Sequence, residues 1–278
     1  MVDFVPAPQA DATPDFETFR RRAYQITGLD LTLYKVPQMH RRLSVLLTRV
    51  GVRNFADYAT LLEADTVRRQ EFRDFVTINV SEFFRDADRF ADLQRRLGGL
   101  IKPGRGLRAW SAGCSNGAEP YSLAMLLLEI APGRPHAILA TDIDETILTR
   151  ARSAADYLGA DIRNMGQERI ARWFTLGAGG RYTLKPPPRA LVKFERHDLL
   201  RDRAPGGAYD LVCCRNVVIY FTEEAKQRIY SGFVESLRSG GLLFLGATEA
   251  ILQPKPLGLE VVGPGFYQKV EQATSRAA

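Results

Sequence analysis

The chain has 278 residues, 45% of them hydrophobic and 25% charged, with a formal net charge of +6. That balance excludes a disordered chain and leaves room for one large or two modest domains. Its three cysteines, Cys114, Cys213 and Cys214, give neither a disulfide framework nor metal spacing, and no apolar run is long enough to cross a bilayer, so a cytoplasmic protein with no metal is expected.

Residues 1–13 are rich in Pro and Ala and read as a disordered lead-in, and 272–278 as a tail. Helical patterns follow. Asp15 is positioned to cap a first helix with Phe16, Phe19, Ala23 and Ile26 on one side, ending at Gly28. A second runs over 36–50 on the stripe Met39, Leu43, Leu46 and Val50, leaving Arg41, Arg42 and Arg49 on another side. Between residues 20 and 53 there are eight Lys or Arg and one acid, Asp30. Such a surface is either a solvated face or a dock for an acidic helical partner. Asn54 and Thr66 are taken as caps of a third and a fourth helix, and Asp88 as the start of a fifth.

The connector 77–86, TINVSEFFRD, alternates polar Asn79, Ser81 and Arg85 with apolar residues, so the three can line one cavity. Arg85 is the strongest of them, because a guanidinium has planar donors suited to a carboxylate. A Gly- and Pro-rich stretch over 98–106 marks a boundary, giving a helical domain over 14–98 and a second domain over 99–271.

From 107 onward strands alternate with helices, the pattern of a mostly parallel sheet with ligands at its carboxyl ends. LRAWSAGCSNGAEPY, 107–121, is strand, tight turn and helix, with Pro120 early in the helix. The turn lacks the glycine spacing of a dinucleotide site. It matches G-x-S-x-G with Ser115 as nucleophile and His197 downstream, although the preceding hundred residues are helical rather than the strands a hydrolase would need. The third possibility, a nucleoside-bearing cofactor, requires an acid at the end of the next strand, and Asp142 supplies it, with Asp144 capping the following helix. Glu119 can meet a cofactor ammonium or simply cap its helix. His40, His136 and His197 read as structural rather than as general bases.

Residues 161–174 read as a helix. Over 177–196 the rhythm breaks, and 181–184 and 191–194 are taken as a small antiparallel insert. The α/β pattern resumes with a strand at 209–214, a helix at 222–237, a strand at 241–245 and a last strand pair near 260–262 and 266–270.

Five stretches together resemble the bacterial chemotaxis receptor glutamate O-methyltransferase family, the CheR type: NVSEFFRD at 79–86, AGCSNGAEPYSLA at 112–124, ATDID at 140–144, CRNVVIYF at 214–221 and GGLLFLG at 240–246. The resemblance implies an N-terminal helical receptor-docking domain and a class I, Rossmann-like S-adenosylmethionine-dependent methyltransferase domain, with the insert at 177–196 as a β-subdomain. It also implies Asn79, Ser81 and Arg85 along the cofactor pocket, Glu119 at the cofactor's amino group and Asp142 at its ribose. Asp198 and Leu199 would meet the adenine, Asn216 and Val217 would form the floor, and Arg85 and Tyr220 would lie beside the methyl acceptor. Arg41, Arg42 and Arg49 would dock the helical methylation region of a chemoreceptor. The product would be S-adenosylhomocysteine and a glutamyl methyl ester. A catalytically silent cofactor-binding module and a nucleic-acid methyltransferase are the alternatives. Ser81 stands where threonine is usual, Asp198 where asparagine is common and Ala247 where histidine is frequent. The short loop at 177–189 points away from docking of a receptor C-terminal pentapeptide.

Overall fold

The computed structural model describes residues 13–77 and 81–270. The chain divides into two compact units. The first holds residues 13–77 together with Tyr220–Lys226, and the second holds 81–219 and 227–270.

The first unit is helical: α1 (Pro14–Thr27), α2 (Val36–Val50), α3 (Phe55–Ala64) and α4 (Thr66–Thr77), with a 3-10 turn at Leu31–Leu33. The helix starts differ by a residue or two from the sequence expectation. Thr13 caps α1, while Asp15 instead accepts the Phe55 N–H at 3.0 Å and ties α3 to α1. Asp65 takes the Val67 and Arg68 N–H groups at the head of α4. Asn54 caps α3 as expected. Gly28 and Gly51 end α1 and α2 in the left-handed conformation that favours glycine.

The core between these helices is aromatic. Phe19 meets Phe55, Tyr58 and Phe72 at centroid distances of 5.2, 5.8 and 6.0 Å, and His40 sits edge-on to Phe16 at 4.9 Å, which makes it a packing residue. The Tyr220–Lys226 segment is tied to this unit by main-chain bonds from Lys35 N to Tyr220 O and from Thr222 N to Leu33 O, with the Tyr34 and Phe221 rings packed at 4.8 Å.

The second unit is built on a seven-stranded sheet. In chain order its helices and strands are α5 (Ala87–Leu100), β1 (Arg108–Ala112), α6 (Ala118–Ile130), β2 (Ala137–Asp142), α7 (Glu145–Ser153), α8 (Gln167–Trp173), β3 (Phe174–Leu176), β4 (Tyr182–Leu184), α9 (Pro186–Arg189), β5 (Val192–Arg196), β6 (Tyr209–Cys214), α10 (Glu223–Ser236), β7 (Leu237–Leu245), β8 (Leu259–Gly263) and β9 (Phe266–Lys269). The first four residues of α10 lie in the helical unit. The strand order is β5-β2-β1-β6-β7-β9-β8. The five strands from β5 to β7 are parallel, and β9 pairs antiparallel with β7 and β8.

Central β6 is buried along its whole length, as a strand covered on both faces must be. Strand order reverses about β1, whose neighbours β2 and β6 lead away on opposite sides, so the ligand crevice of such a sheet falls at the carboxyl ends of β1 and β6. Phe90, Leu93 and Leu97 of α5 belong to this unit's core. The glycines after α5 are therefore a loop into β1 rather than a linker.

Two sequence expectations change here. The antiparallel partner of β4 is β3, whose Phe174 the helical pattern had absorbed, and 161–166 is turn rather than helix. The run at 191–194 is not part of that insert, because β5 pairs in parallel with β2, Ile138 opposite Val192 and Asp142 opposite Arg196. Exposed side chains on an edge strand such as Lys193 and Glu195 hide its apolar period, so the sequence does not distinguish a sheet edge from a hairpin.

Candidate functional site at the carboxyl ends of β1, β2 and β6

The turn after β1 is held by its backbone. Gly113, Ser115 and Gly117 all have positive φ, at 77°, 49° and 87°. Gly113 and Cys114 donate to Thr141 O, and Ser115 N donates to Asp142 Oδ2 at 2.8 Å. A Cβ on Gly113 would fall 2.5 Å from a methyl of Val217, so only glycine lets this turn rest against the loop after β6.

Asp142 also accepts from Asp144 N at 3.1 Å, and its two bonds leave lone pairs for a ligand. Burial pushes its carboxyl up to about 6, against the pull of those N–H groups. Asp144 is taken up in capping α7, accepting from Thr146 and Ile147.

Glu119, at the mouth of α6, accepts from Ser111 Oγ at 2.8 Å and lies 3.7 Å from the Arg215 guanidinium. Burial pushes its carboxyl up, while Arg215 and Arg85 draw it down. Arg215 is itself buried among rings, 4.8 Å over Phe244 and 5.2 Å over Phe90, and donates to Arg85 O and Asp86 Oδ2. It thereby fixes the 81–86 stretch beside Glu119. Ser81 O accepts from Asn116, and Phe84 N donates to Ser122 Oγ. Asn79 lies outside the described residues.

On the β5 side, Asp198 N donates to Asp202 and Asp198 Oδ1 accepts from Leu200 N, so Asp198 spends one oxygen on its own turn. Leu199 lines a cavity of about 380 Å³ with Trp110, His197 and Phe233. After β6, Asn216 adopts φ 61°, and its buried Oδ1 has no protein partner. Glu249 accepts the N–H groups of Asn216, Val217, Val218 and Gly246. Sequence reasoning missed both Arg215 and Glu249. Arg215 stands within a quoted motif, but Glu249 gives little local signal, because three of its four partners lie some thirty residues away.

Ser115 Oγ is buried with no partner, so no histidine engages it and a hydrolase triad is not assembled. His136 accepts from Leu107 N and pairs with Ala131 O, and the His197 ring lies edge-on to Trp110 at 5.6 Å. What the site offers is acceptors: two buried carboxylates and the orphaned Asn216 Oδ1, beside a glycine turn packed against Val217 and Tyr121. That set suits a ligand bearing an ammonium and vicinal hydroxyls.

Family models match nearly all of the chain: "CheR methyltransferase, all-alpha domain" over residues 14–77 and "CheR methyltransferase, SAM binding domain" over residues 79–261. The chain belongs to the CheR methyltransferase family. It is similar to the chemotaxis protein methyltransferase of Listeria monocytogenes, 41% identical over 93% of this chain and 98% of that one. It also resembles chemotaxis protein methyltransferase 1 of Pseudomonas aeruginosa, at 36% identity over 86% and 91%, and the Escherichia coli enzyme, at 35% over 84% and 83%. As a CheR chain it is an S-adenosylmethionine-dependent methyltransferase of chemotaxis. The acceptor set fits that cofactor's amino group and ribose.

Of the residues singled out in the sequence, Ser81, Arg85, Glu119, Asp142, Asp198, Leu199, Asn216 and Val217 all lie in the second unit of this CheR chain. Tyr220 lies in the helical unit with Arg41, Arg42 and Arg49. There the basic density seen in sequence is partly spent inside. Arg20 donates to Leu31 O, and Arg42 donates to Phe75 O at 2.5 Å while its guanidinium lies over the Phe75 ring; Arg22 pairs with Glu63 on the surface. Burial lowers the pKa of Arg42. Arg41 and Arg49 are exposed on α2, with exposed Val45 between them.

Proposed function

We propose that the chain transfers a methyl group from S-adenosylmethionine to glutamate side chains of chemoreceptors, forming glutamyl methyl esters for sensory adaptation. The observation that carries this is a cofactor site rich in acceptors: the buried Glu119 and Asp142 carboxylates and the unpartnered Asn216 Oδ1. A glutamate of ordinary pKa is already ionised at neutral pH and needs no general base. His136 uses both ring nitrogens on the main chain at the amino end of β2, and the His197 ring packs edge-on against Trp110, so neither is assigned a catalytic part.

When bound, S-adenosylmethionine supplies a sulfonium methyl that a carboxylate oxygen takes in one displacement, leaving S-adenosylhomocysteine. Glu119 holds the amino group, Asp142 the ribose hydroxyls, and Asp198 and Leu199 the adenine. Asn216 and Val217 form the floor, with Ser81 and Arg85 closing the pocket. Arg85 aligns the incoming carboxylate, Tyr220 is assigned the same task by the family resemblance alone, and alignment of this kind can lower a barrier by roughly 7 to 11 kcal/mol. Arg41 and Arg49 attract the acidic methylation helices of the receptor, while Arg42 holds α2 against Phe75. The connection from β3 to β4 spans only residues 177–181, which supports methylation without pentapeptide docking.

The test is transfer of labelled methyl from the cofactor to a receptor cytoplasmic fragment. Base-labile label on that fragment is the expected result. Label found only on nucleic acid, stable to base, would overturn the proposal.

A further inference from the structure

Glu249 is 5% exposed, and its carboxylate is filled by main chain: Oε2 accepts from Asn216 N and Gly246 N, both at 2.7 Å, and Oε1 from Val217 N at 2.9 Å and Val218 N at 3.0 Å. Three of those donors belong to the loop leaving β6 and one to the loop leaving β7. One side chain therefore closes the carboxyl ends of two parallel neighbours. Four donors converging on one buried carboxylate is a costly arrangement for a surface loop, since each N–H must find this acceptor or go unpaired.

The bonds set the shape of the loop as well as its energy. Asn216 is left-handed at φ 61°, a conformation an isolated asparagine visits only in part. With its N–H held by Glu249, its buried Oδ1 is left without a protein partner. Val217, whose N–H is also held, presses its methyl against the space left by the missing side chain of Gly113. Gly246 is equally constrained: a Cβ there would lie 2.5 Å from Glu249 Oε2 and 3.0 Å from Asn216 N.

We propose that Glu249 is a positioning residue for the cofactor, acting through the Asn216–Val217 turn that it shapes and without touching the ligand. This deepens the cofactor site proposed above and rests on it. Replacing the carboxylate by an amide puts a donor where a backbone donor must be received. The turn then loses at least one bond and relaxes away from its left-handed form.

The experiment is calorimetric titration of S-adenosylhomocysteine into the full-length wild type, Glu249→Gln, Gly246→Ala, Asn216→Gly and the Glu249→Gln/Asn216→Gly double variant, each checked for folding by near-UV circular dichroism. Glycine at 216 keeps the left-handed backbone and removes only the side chain. The expected result is a loss of affinity of roughly tenfold to a hundredfold in Glu249→Gln, the range that follows from leaving a buried donor unpaired. Gly246→Ala, which retains the carboxylate but displaces it, should lose a similar factor. In the Asn216→Gly background, Glu249→Gln should cost less than about threefold more, because residues acting through one another are not additive. Affinity within about twofold of wild type in folded Glu249→Gln, or losses that simply multiply in the double variant, would overturn the inference. If Glu249→Gln does not fold, Gly246→Ala decides by the same criterion. A folded wild type that binds no S-adenosylhomocysteine would instead sink the cofactor site itself.

Discussion

Lowering the pH should weaken cofactor binding through Asp142. Its carboxyl sits at about 6 instead of 3.8, chiefly because it is buried, with the nearby Asp144 charge adding to the shift. At 1.36 kcal/mol per unit, roughly two units amount to about 3 kcal/mol. The folded-state pKa is raised, so this group's contribution to stability is complete below about pH 4 and is lost as pH rises through about 6. At neutrality the free protein therefore carries a buried charge at a cost of about 3 kcal/mol, and ribose hydroxyls donating to it would recover part of that. Binding selects the ionised form. At about pH 5, one unit below the folded pKa, only about a tenth of the carboxyl is ionised, so affinity for S-adenosylhomocysteine should fall roughly tenfold from its value near pH 7.5.

Calorimetric titration across that range in wild type and Asp142→Asn provides the assay. The variant should bind more weakly near pH 7.5 and lose most of the decline, keeping only what Glu119 contributes, whose carboxyl burial also raises. Wild-type affinity unchanged within about twofold down to pH 5, or an Asp142→Asn variant with the full tenfold fall, would refute the assignment of this carboxylate to the ligand.

Arg85→Ala and Tyr220→Phe should slow single-turnover methyl transfer at least tenfold while leaving the thermal midpoint nearly unchanged, and near-normal rates in both would remove their aligning role. KM for a receptor fragment should rise with salt in wild type and much less in Arg41→Ala/Arg49→Ala, because attraction between exposed charges is screened; equal salt dependence in the two would leave α2 a solvated face. Asp144→Ala should cost about 1 kcal/mol by denaturant titration, the usual value of a helix cap, since it removes the acceptor of Thr146 N and Ile147 N. No measurable change would mean that water or a neighbour replaces that cap.

The site's local parts were legible in the sequence because each is written within a few residues. Gly113, Ser115 and Gly117 mark a turn that needs positive φ, Asp142 closes a strand, and Asp144 and Asn54 cap the helices that follow them. The alternation of strands and helices from 107 onward fixed the parallel sheet for the same reason, since burial on both faces leaves continuous apolar runs such as 209–214. Tertiary structure alone decided the partners of long sequence separation. Only in the fold does Arg42 spend its charge on Phe75, β5 leave the supposed insert to pair with β2, Tyr220 join the helical unit through Lys35, and Glu249 gather four N–H groups from two loops. A side chain's sequence neighbours set its backbone and its helix or strand face. Which distant donor or ring it meets depends on how those faces pack, and no local pattern encodes that.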